Sequence, residues 1–246
     1  MESAPPCSAA PPSLPQGGSR SAPASPCVAL FDLDGTLTWR DTLFPFLLGY
    51  ALRRPARWLC LWRVPLAFLQ FLAAHHDRGK LKSQVIRIVM GGDARAAIDA
   101  WADAFVGNLQ RRRVFRPAAL AVLESHRAAG DRLVLLSASP DLYVPRLGQL
   151  LGFERTLCTE IEWQGPAGAE RLDGALKTAN RRGEEKSRCL DELRLRYPGL
   201  PIVAYGNSAS DLPHMKLADR ALLVNADAGA RRAAAELHLP VGDWRD

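Results

Sequence analysis

The chain of 246 residues contains four short apolar runs, at residues 28–31, 133–136, 202–205 and 221–224. Each run has strand length and is bounded by polar or turn residues, as is typical of buried parallel strands. Helical spacing of apolar positions occurs between these runs, over residues 117–129, 140–151 and 184–196. Because strands and helices alternate, the pattern predicts an α/β fold with a doubly wound, mainly parallel sheet.

About a hundred residues separate the first two runs, far more than a crossover connection needs. This insert shows helical spacing, as at Ile98, Trp101, Phe105 and Leu109. We therefore predict an all-helical cap over residues 41–114. The core is then formed by the flanking segments, residues 27–40 and 115–246.

Residues 1–26 have a different composition, since 20 of the 26 are Pro, Ser, Ala or Gly. Such a segment buries too little apolar surface to offset its ordering entropy. It also lacks the basic and apolar regions of a signal peptide, so we expect a disordered tail. The five cysteines are scattered without metal-ligand spacing, which indicates the reducing cytoplasm.

The net charge of +6 is unevenly distributed along the chain. Residues 40–116 contain 14 Lys or Arg and 5 Asp, a net charge of +9, and the remainder carries −3. The whole positive excess therefore lies in the predicted cap, which indicates an anionic partner.

Polar residues follow all four predicted strands: Asp32, Ser137, Gly206-Asn207 and Asn225. The carboxyl ends of parallel strands form the ligand crevice of such sheets. Asp32 and Asp34 directly follow the first strand, where two buried carboxylates are costly unless they bind or react with something. Taken alone, this Asp-Gly segment is equally consistent with a turn.

Ser139 and Pro140 suit the N-cap and first position of the helix predicted over residues 140–151. Backbone N–H groups at that helix start would receive an anion, with the Ser137 hydroxyl beside them. Lys186 lies at the start of the next predicted helix, where a lysine is ordinarily exposed and solvated. Asn207 and Asp211 either form a turn or complete a hard-cation site with Asp32.

In order, Asp32-x-Asp34-Gly-Thr, Ser137, Lys186 and Gly206-Asn-Ser-x-x-Asp211 resemble the four motifs of the haloacid dehalogenase (HAD) superfamily phosphatases. A helical cap between the first two motifs is similar to subfamily IB, which contains phosphoserine phosphatase. The run FDLDGTLTWRDTLFPFL from Phe31 to Leu47 and the segment from Ala209 to Pro213 resemble the bacterial phosphatidylglycerophosphatase C-like branch.

The resemblance implies a role for each matching residue. Asp32 is the nucleophile that forms an aspartyl-phosphate intermediate, and Asp34 is the general acid and base. The resemblance further implies that Ser137, Ala138 and Lys186 hold the phosphoryl oxygens. It implies a Mg²⁺ cofactor bound by Asp32, the Asp34 carbonyl and the fourth motif, Asn207 with Asp211.

One position departs from the family pattern. The fourth motif commonly begins Gly-Asp, whereas this chain has Gly206-Asn207. An amide oxygen can ligate Mg²⁺, but the site loses one negative charge. We expect weaker metal binding unless Asp211 takes a larger share, and we expect activity to persist.

The cap also contains an apolar stretch, residues 58–74, interrupted by Arg63 and Pro65. These interruptions argue against a membrane-spanning helix. The stretch is then either a helix packed on its neighbours or part of a helix pair that contacts a membrane. In the second interpretation Trp39, Trp58 and Trp62 lie at headgroup depth and arginines meet anionic lipid. A nucleic-acid partner is not expected, because long apolar runs interleave the charges.

Three functions follow from the family resemblance together with the charge and apolar character of the cap. The first is a Mg²⁺-dependent phosphatase acting on a lipid phosphate monoester, such as phosphatidylglycerophosphate, at the cytoplasmic face of the inner membrane. The second is a soluble phosphatase of the phosphoserine phosphatase type that uses the cap arginines on a small substrate. The third is a non-catalytic lipid-binding protein of the same fold, for which only Asn207 argues.

Overall fold

The structure is a computed structural model that describes residues 26–73 and 77–244. The disordered tail predicted for residues 1–26 therefore lies outside the described residues, apart from Pro26. Within those ranges the chain forms the following strands: β1 Val28–Phe31, β2 Arg132–Pro140, β3 Arg155–Thr159, β4 Ile161–Gln164, β5 Arg171–Leu176, β6 Ile202–Gly206, β7 Arg220–Val224 and β8 Val241–Gly242.

The helices of the described residues have these bounds: α1 Leu43–Leu52, α2 Pro55–Leu61, α3 Arg63–Ala73, α4 Arg78–Met90, α5 Arg95–Arg111, α6 Pro117–Ala128, α7 Val144–Leu150, α8 Glu184–Arg196, α9 Leu212–Leu217 and α10 Ala228–Glu236. None of them has the length and apolar content that crossing a bilayer requires.

Six strands form one parallel sheet in the order β3-β2-β1-β6-β7-β8. The central strand β1 pairs on both sides, with Val28 opposite Arg132 and Ile202. This arrangement confirms the predicted doubly wound α/β fold. The order reverses beside β1, so the carboxyl end of β1 lies at the switch point where such sheets bind ligands.

Both faces of the sheet are buried, which explains why its strands are continuous apolar runs. Along β1, Ala29 and Phe31 face one apolar cluster, which includes residues of α5, α6 and α7. Val28 and Leu30 face the other, which includes residues of α8, α9 and α10. A rigid sheet packed on both sides fixes the backbone from which the site residues project.

Helices α1–α5 lie between β1 and α6 in the chain. The segments that lead to and from these helices pair with each other, through a bridge between Thr38 and Phe115. Trp39 N donates to Val114 O at 3.1 Å, and Arg116 N donates to Leu37 O at 2.9 Å. The cap helices therefore leave and rejoin the core at one place, close to the end of β1.

The antiparallel pair β4-β5 was not predicted. It packs on α4, where Ser83 Oγ donates to Gly174 O at 2.9 Å and Arg87 Nε donates to Asp173 O at 3.0 Å. Gly174 has a φ of +90°, and a Cβ there would lie 2.9 Å from Arg87 Cα. Glycine thus allows the hairpin to approach α4 closely. The cap helices therefore also contact a hairpin that belongs to the core segment.

The helix predicted to begin at Pro140 starts later, at Val144, because β2 continues to Pro140. Pairing of Pro140 with Thr159 of β3 extends the strand after an irregularity in register. The prediction of a helix N-terminus at Ser139 is therefore wrong, and an anion at this point would not be bound by the free N–H groups of a helix start.

Candidate active site

Asp32 follows β1 directly and extends its pairing, since its N–H donates to Tyr205 O at 2.9 Å. The next residues form an irregular turn, Leu33–Leu37, closed by Thr38 N donating to Leu33 O at 3.0 Å. This turn directs the chain out of the sheet while the Asp32 carboxylate stays buried.

Lys186, near the start of α8, lies between two buried carboxylates. Its Nζ donates to Asp32 Oδ1 at 2.6 Å and to Asp211 Oδ1 at 2.7 Å. All three side chains are buried. Burial of an unpaired charge is costly, and the shared ammonium offsets that cost for both carboxylates.

The two carboxylates titrate differently around this lysine. Burial raises the pKa of Asp32 and repulsion from Asp211 adds to that, while Lys186 opposes both. Burial also acts to raise the pKa of Asp211, but Lys186, His214 and the Ser208 hydrogen bond outweigh it and hold that pKa below its usual range. Burial would lower the pKa of Lys186, yet the two carboxylates raise it, so the lysine stays charged.

Asp34 is held by donors from the cap side and from β2. Thr42 donates to its Oδ1 from both N, at 2.8 Å, and Oγ1, at 2.6 Å. Ser139 Oγ donates to its Oδ2 at 2.6 Å. Burial raises the pKa of Asp34, which these hydrogen bonds partly counter. The side chain is thereby fixed in orientation and suited to carry a proton.

Ser139 thus has a different role from the helix cap expected of it: it lies in β2 and binds Asp34. Ala138 and Ser139 line the pocket described below. Ser137 is buried, and its Oγ accepts a hydrogen bond from Ser139 N at 3.0 Å. Phosphate contact by Ser137 and Ala138 stays a prediction.

The loop after β6 carries Asn207 and Asp211. Asp211 Oδ2 accepts hydrogen bonds from Asn207 N at 3.2 Å, Ser208 N at 2.9 Å and Ser208 Oγ at 2.8 Å. With Lys186 on its other oxygen, Asp211 holds both the loop and the lysine in place.

Oxygen atoms that suit a hard cation converge beside Asp32. Thr36 Oγ1 lies 3.0 Å from Asp32 Oδ2 and 3.4 Å from Asn207 Oδ1, so the carboxylate and the amide oxygen flank one hydroxyl. Carboxylate and carbonyl oxygens are the ligands that Mg²⁺ takes in proteins. The donor set therefore fits Mg²⁺: Asp32 and Asn207 could supply side-chain oxygens, with Asp211 behind them.

A cavity of about 620 Å³ opens above Asp32 and Asp34, between the core and the cap. Its lining combines charged and apolar side chains. The cations are Arg40, Arg78, Lys82, Arg182 and Lys186, and the apolar residues from the cap side include Trp39, Leu43, Phe44, Leu47, Leu81 and Val85.

Lys82 brings a cap charge into this pocket. Its Nζ donates to Asn180 Oδ1 at 2.5 Å and also to Ala138 O. Burial lowers the pKa of Lys82 to about 8, although Asp34 acts in the opposite direction. A cation from α4 therefore lies at the end of β2, next to the position predicted for the phosphate.

The site residues on the strand ends were predicted from the sequence. Those not predicted are Thr42, Ser139 as a partner of Asp34, Lys82, Asn180 and Arg182. Thr42 and Lys82 reach the site because the cap folds back over the core. Ser139 lies in β2, and Asn180 and Arg182 lie in the loop between β5 and α8. One usable signal existed: Thr42 is a hydroxyl residue eight positions after Asp34, at the start of the predicted cap.

The family model of haloacid dehalogenase-like hydrolases matches residues 29–216. The chain therefore belongs to the haloacid dehalogenase-like hydrolase family. Protein CicA of Caulobacter vibrioides is 32% identical over 203 residues, covering 79% of this chain and 84% of that protein. A protein of Mycobacterium tuberculosis named as a probable phosphatase is 26% identical over 237 residues, covering 94% of this chain and 79% of its own length.

Solved structures show the same fold. A Bordetella pertussis protein of unknown function superimposes with a TM-score of 0.75 at 20% identity, over 90% of this chain and 100% of that one. Phosphoserine phosphatase, in a structure with an analogue of its phospho-aspartyl intermediate, gives a TM-score of 0.60 at 14% identity, over 89% and 94% of the two chains. The predicted family and fold are confirmed, and the comparisons support the predicted class, a phosphoric monoester hydrolase.

Proposed function

We propose that the protein is a Mg²⁺-dependent phosphomonoester hydrolase that acts through an aspartyl-phosphate intermediate on a lipid phosphate, such as phosphatidylglycerophosphate. The observation that carries the proposal is the pocket itself: the paired Asp32 and Lys186 lie in it, and an apolar, basic cap forms its outer wall. The pair of Asp32 and Lys186 suits a phosphate, and the apolar, basic wall suits the rest of an amphiphile.

In the first step a carboxylate oxygen of Asp32 attacks phosphorus, and the bond from phosphorus to the leaving oxygen breaks. Lys186 already contacts Asp32 Oδ1 at 2.6 Å, so its charge lies where nucleophile and phosphate meet and lowers their mutual repulsion. Asp211 keeps the lysine in that position.

Asp34 donates its proton to the leaving oxygen, so the alcohol departs neutral. In the second step its carboxylate takes a proton from the water that attacks phosphorus, which releases phosphate and restores Asp32. Thr42 and Ser139 keep the Asp34 carboxyl in one orientation through both steps. Mg²⁺, when bound by Asp32, Asn207 and the Asp34 carbonyl, would supply positive charge between the anionic nucleophile and the anionic phosphate.

A lipid substrate is supported by the surface of the cap. Of 15 exposed large hydrophobic side chains among the described residues, 11 lie within residues 39–72. They form what we call the apolar cap surface: Trp39, Phe44, Leu48, Leu52, Trp58, Leu59, Trp62, Leu66, Phe68, Leu69 and Leu72. Isolated exposed leucines are normal, but a concentration of this kind indicates an interaction surface.

Arginines adjoin this surface. Arg53, Arg54 and Arg63 are exposed, and they would face anionic headgroups if the apolar cap surface contacts a membrane. Arg57 differs, because its Nη2 contacts Asp93 Oδ1 at 2.5 Å within the cap. We therefore assign Arg57 a structural role. From the exposed arginines and the apolar cap surface together, we propose that the enzyme associates peripherally with an anionic bilayer.

A phosphate-release screen tests the proposal. We expect turnover of phosphatidylglycerophosphate in mixed micelles to exceed that of phosphoserine and other soluble monoesters by at least about tenfold in kcat/KM. Asp32→Asn should lower kcat by at least about a thousandfold, because the amide is a poor nucleophile. Retained hydrolysis in Asp32→Asn would contradict the assigned nucleophile.

A soluble phosphatase of the phosphoserine phosphatase type is the second candidate. It is favoured by the cations Arg78, Lys82 and Arg182 in the pocket, which would suit a small substrate with a second anionic group. Preference for phosphoserine in the same screen would select it. Absence of turnover for every phosphomonoester would instead favour a non-catalytic lipid-binding protein.

A further inference from the structure

A second cavity, of about 880 Å³, lies between α1 and the carboxyl-terminal half of α5. Its lining is largely apolar and aromatic: Trp39, Phe44, Pro45, Leu48, Leu52, Trp101, Phe105, Leu109 and Val114. We call it the α1–α5 groove. Its size falls within the range of ligand pockets, roughly 300–1,000 Å³.

The groove adjoins the active-site pocket. Trp39, Arg40, Asp41 and Phe44 line both cavities. These residues follow the turn that carries Asp34, and Trp39 and Phe44 are 41% and 69% exposed. A molecule with one end at Asp32 would therefore reach the groove by passing over these two side chains at the amino-terminal end of α1.

The wall of the groove is fixed by contacts rather than by loose packing. Trp101 Nε1 donates to Phe46 O at 3.1 Å, and the Arg53 guanidinium lies over the Trp101 ring at 4.3 Å. A Cβ on Gly49 would lie 2.7 Å from Trp101 Cζ2, so glycine is what allows α1 to approach this ring. The Trp39 ring is covered in turn by Arg116, at 4.2 Å.

The other end of the groove meets the apolar cap surface. Leu48 and Leu52 belong to both, and they remain 44% and 59% exposed. The exposed Arg112 and Arg113 also line it, with aliphatic stems that can cover an apolar ligand while their charges stay in water. The groove thus lies between a surface suited to a bilayer and the pocket that contains Asp32.

We propose that the α1–α5 groove binds an acyl chain of the substrate while its phosphate lies at Asp32. This inference rests on the proposed function and specifies the substrate as a phosphorylated amphiphile with an aliphatic chain. The groove supplies apolar surface without a matching set of buried charges, so binding energy grows with chain length and carries little selectivity for the headgroup.

The test uses glycerol 3-phosphate and phosphatidic acids with two acyl chains of two to eight carbons, all kept monomeric below their micelle concentrations. Membrane binding then cannot contribute. Each kcat/KM is divided by the value of the same enzyme for glycerol 3-phosphate. We expect this ratio to rise by roughly fourfold for each methylene buried, until the groove is filled.

Leu48→Arg places a charge in the groove at a half-exposed helix position. For the longest acyl chain it should lower the ratio of kcat/KM to the glycerol 3-phosphate value at least tenfold relative to wild type. Leu195→Arg makes the same change at an exposed leucine of α8, outside cap and groove, and should keep the full rise. Using a ratio within each variant removes differences in folding or active fraction.

A flat ratio in the wild-type enzyme, or equal ratios in Leu48→Arg and wild type, would overturn the inference. In either case hydrolysis of glycerol 3-phosphate and of phosphatidylglycerophosphate in micelles would leave the proposed function standing. Failure of all phosphomonoesters to react would refute the proposed function itself, so the two failures are distinguishable.

Discussion

Lys186 lies between two carboxylates that burial alone would drive towards the neutral acid. With 2.6 Å and 2.7 Å contacts to Asp32 and Asp211, the three groups form one buried cluster of net charge −1 when all are ionised. A cation added beside Asp32 would offset the remaining negative charge. At the residue scale, this cluster explains why Asp32, the proposed nucleophile, forms one charge-paired unit with Lys186 and Asp211.

Asn207 provides a direct test of the metal site. Its amide oxygen lies at the Thr36 hydroxyl that also contacts Asp32, so Asn207→Asp adds a charged ligand at that point. We expect Mg²⁺ to bind roughly tenfold more tightly, measured by calorimetric titration, because ligand charge raises affinity for hard cations. The control variant Asn180→Asp adds a negative charge on another wall of the same pocket and should change the affinity for Mg²⁺ far less. Unchanged or weaker binding in Asn207→Asp would remove Asn207 from the ligand set.

His214, in α9, makes stability depend on pH. It is buried, its Nδ1 has no hydrogen-bond partner among the described residues, and burial together with Lys186 lowers its pKa to about 3. At pH values between about 3 and the ordinary pKa of about 6.5, His214 binds a proton in the unfolded chain but not in the folded chain. The free energy of unfolding therefore falls as pH decreases.

Going from pH 7 to pH 5, we expect His214 to cost about 2 kcal/mol of unfolding free energy. Denaturant titrations should show the wild type losing that much more than His214→Gln over this interval. His238→Asn, at an exposed histidine, should follow the wild type. Parallel losses in wild type and His214→Gln would show that the folded protein accommodates the protonated imidazole.

The residues that could be predicted were those whose position follows from the end of a strand. Asp32, Asn207 and Asp211 come within a few positions of β1 or β6, so their convergence follows from the parallel sheet. Ser139 could not be assigned correctly, because its local sequence favours a helix cap and only the pairing of Pro140 with β3 keeps it in a strand. Tertiary pairing overrides local preference there.

At the scale of elements, the turn Leu33–Leu37 sets the distance between the first and fourth motifs. Gly35 has a φ of +86°, and a Cβ at this position would lie 2.1 Å from Asn207 Nδ2. The glycine is therefore required twice, for its backbone conformation and for the close approach of the amide.

Gly35→Ala should lower the rate of phosphate release at least about tenfold, since Asn207 must move. Gly92→Ala is the matched control, because Gly92 has a φ of +78° with no atom within 4 Å of its Cβ position. Both variants lose about 1 kcal/mol of stability from left-handed backbone strain, measured by denaturant unfolding. Equal activities in the two variants would show that Asn207 adapts without cost.

Elements with a clear apolar period were predictable, and short polar ones were not. The strands β1, β6 and β7 and the helix α8 appear at or within one residue of their predicted bounds. The hairpin β4-β5 alternates weakly and is held by α4 through Ser83 and Arg87, so its existence depends on the cap. The strand β8 has two residues and pairs only because β7 offers an open edge.

Over the whole molecule, charge and apolar surface are concentrated on the same side of the active site. The sequence could show that the cap is basic and apolar, but it could not separate packed from exposed side chains. In the structure α3 packs along α4 and buries Ala67, while Leu66, Phe68 and Leu69 stay exposed. The alternative of a fully packed cap helix therefore fails for these three residues.

Membrane association is testable without knowing the substrate. In flotation assays we expect the protein to bind vesicles that contain anionic lipid and to bind neutral vesicles less, because exposed arginines add about 1 kcal/mol each near an anionic surface. Raising the salt concentration should weaken binding without abolishing it, since screening affects only the electrostatic part.

Replacing Leu59 and Trp62, which are 81% and 68% exposed, by serine removes apolar area and should reduce vesicle binding at least about tenfold. Leu195→Ser, at a leucine that is 86% exposed on the core, should leave binding unchanged. If neither kind of vesicle floats the wild-type protein, the apolar cap surface contacts something other than a bilayer.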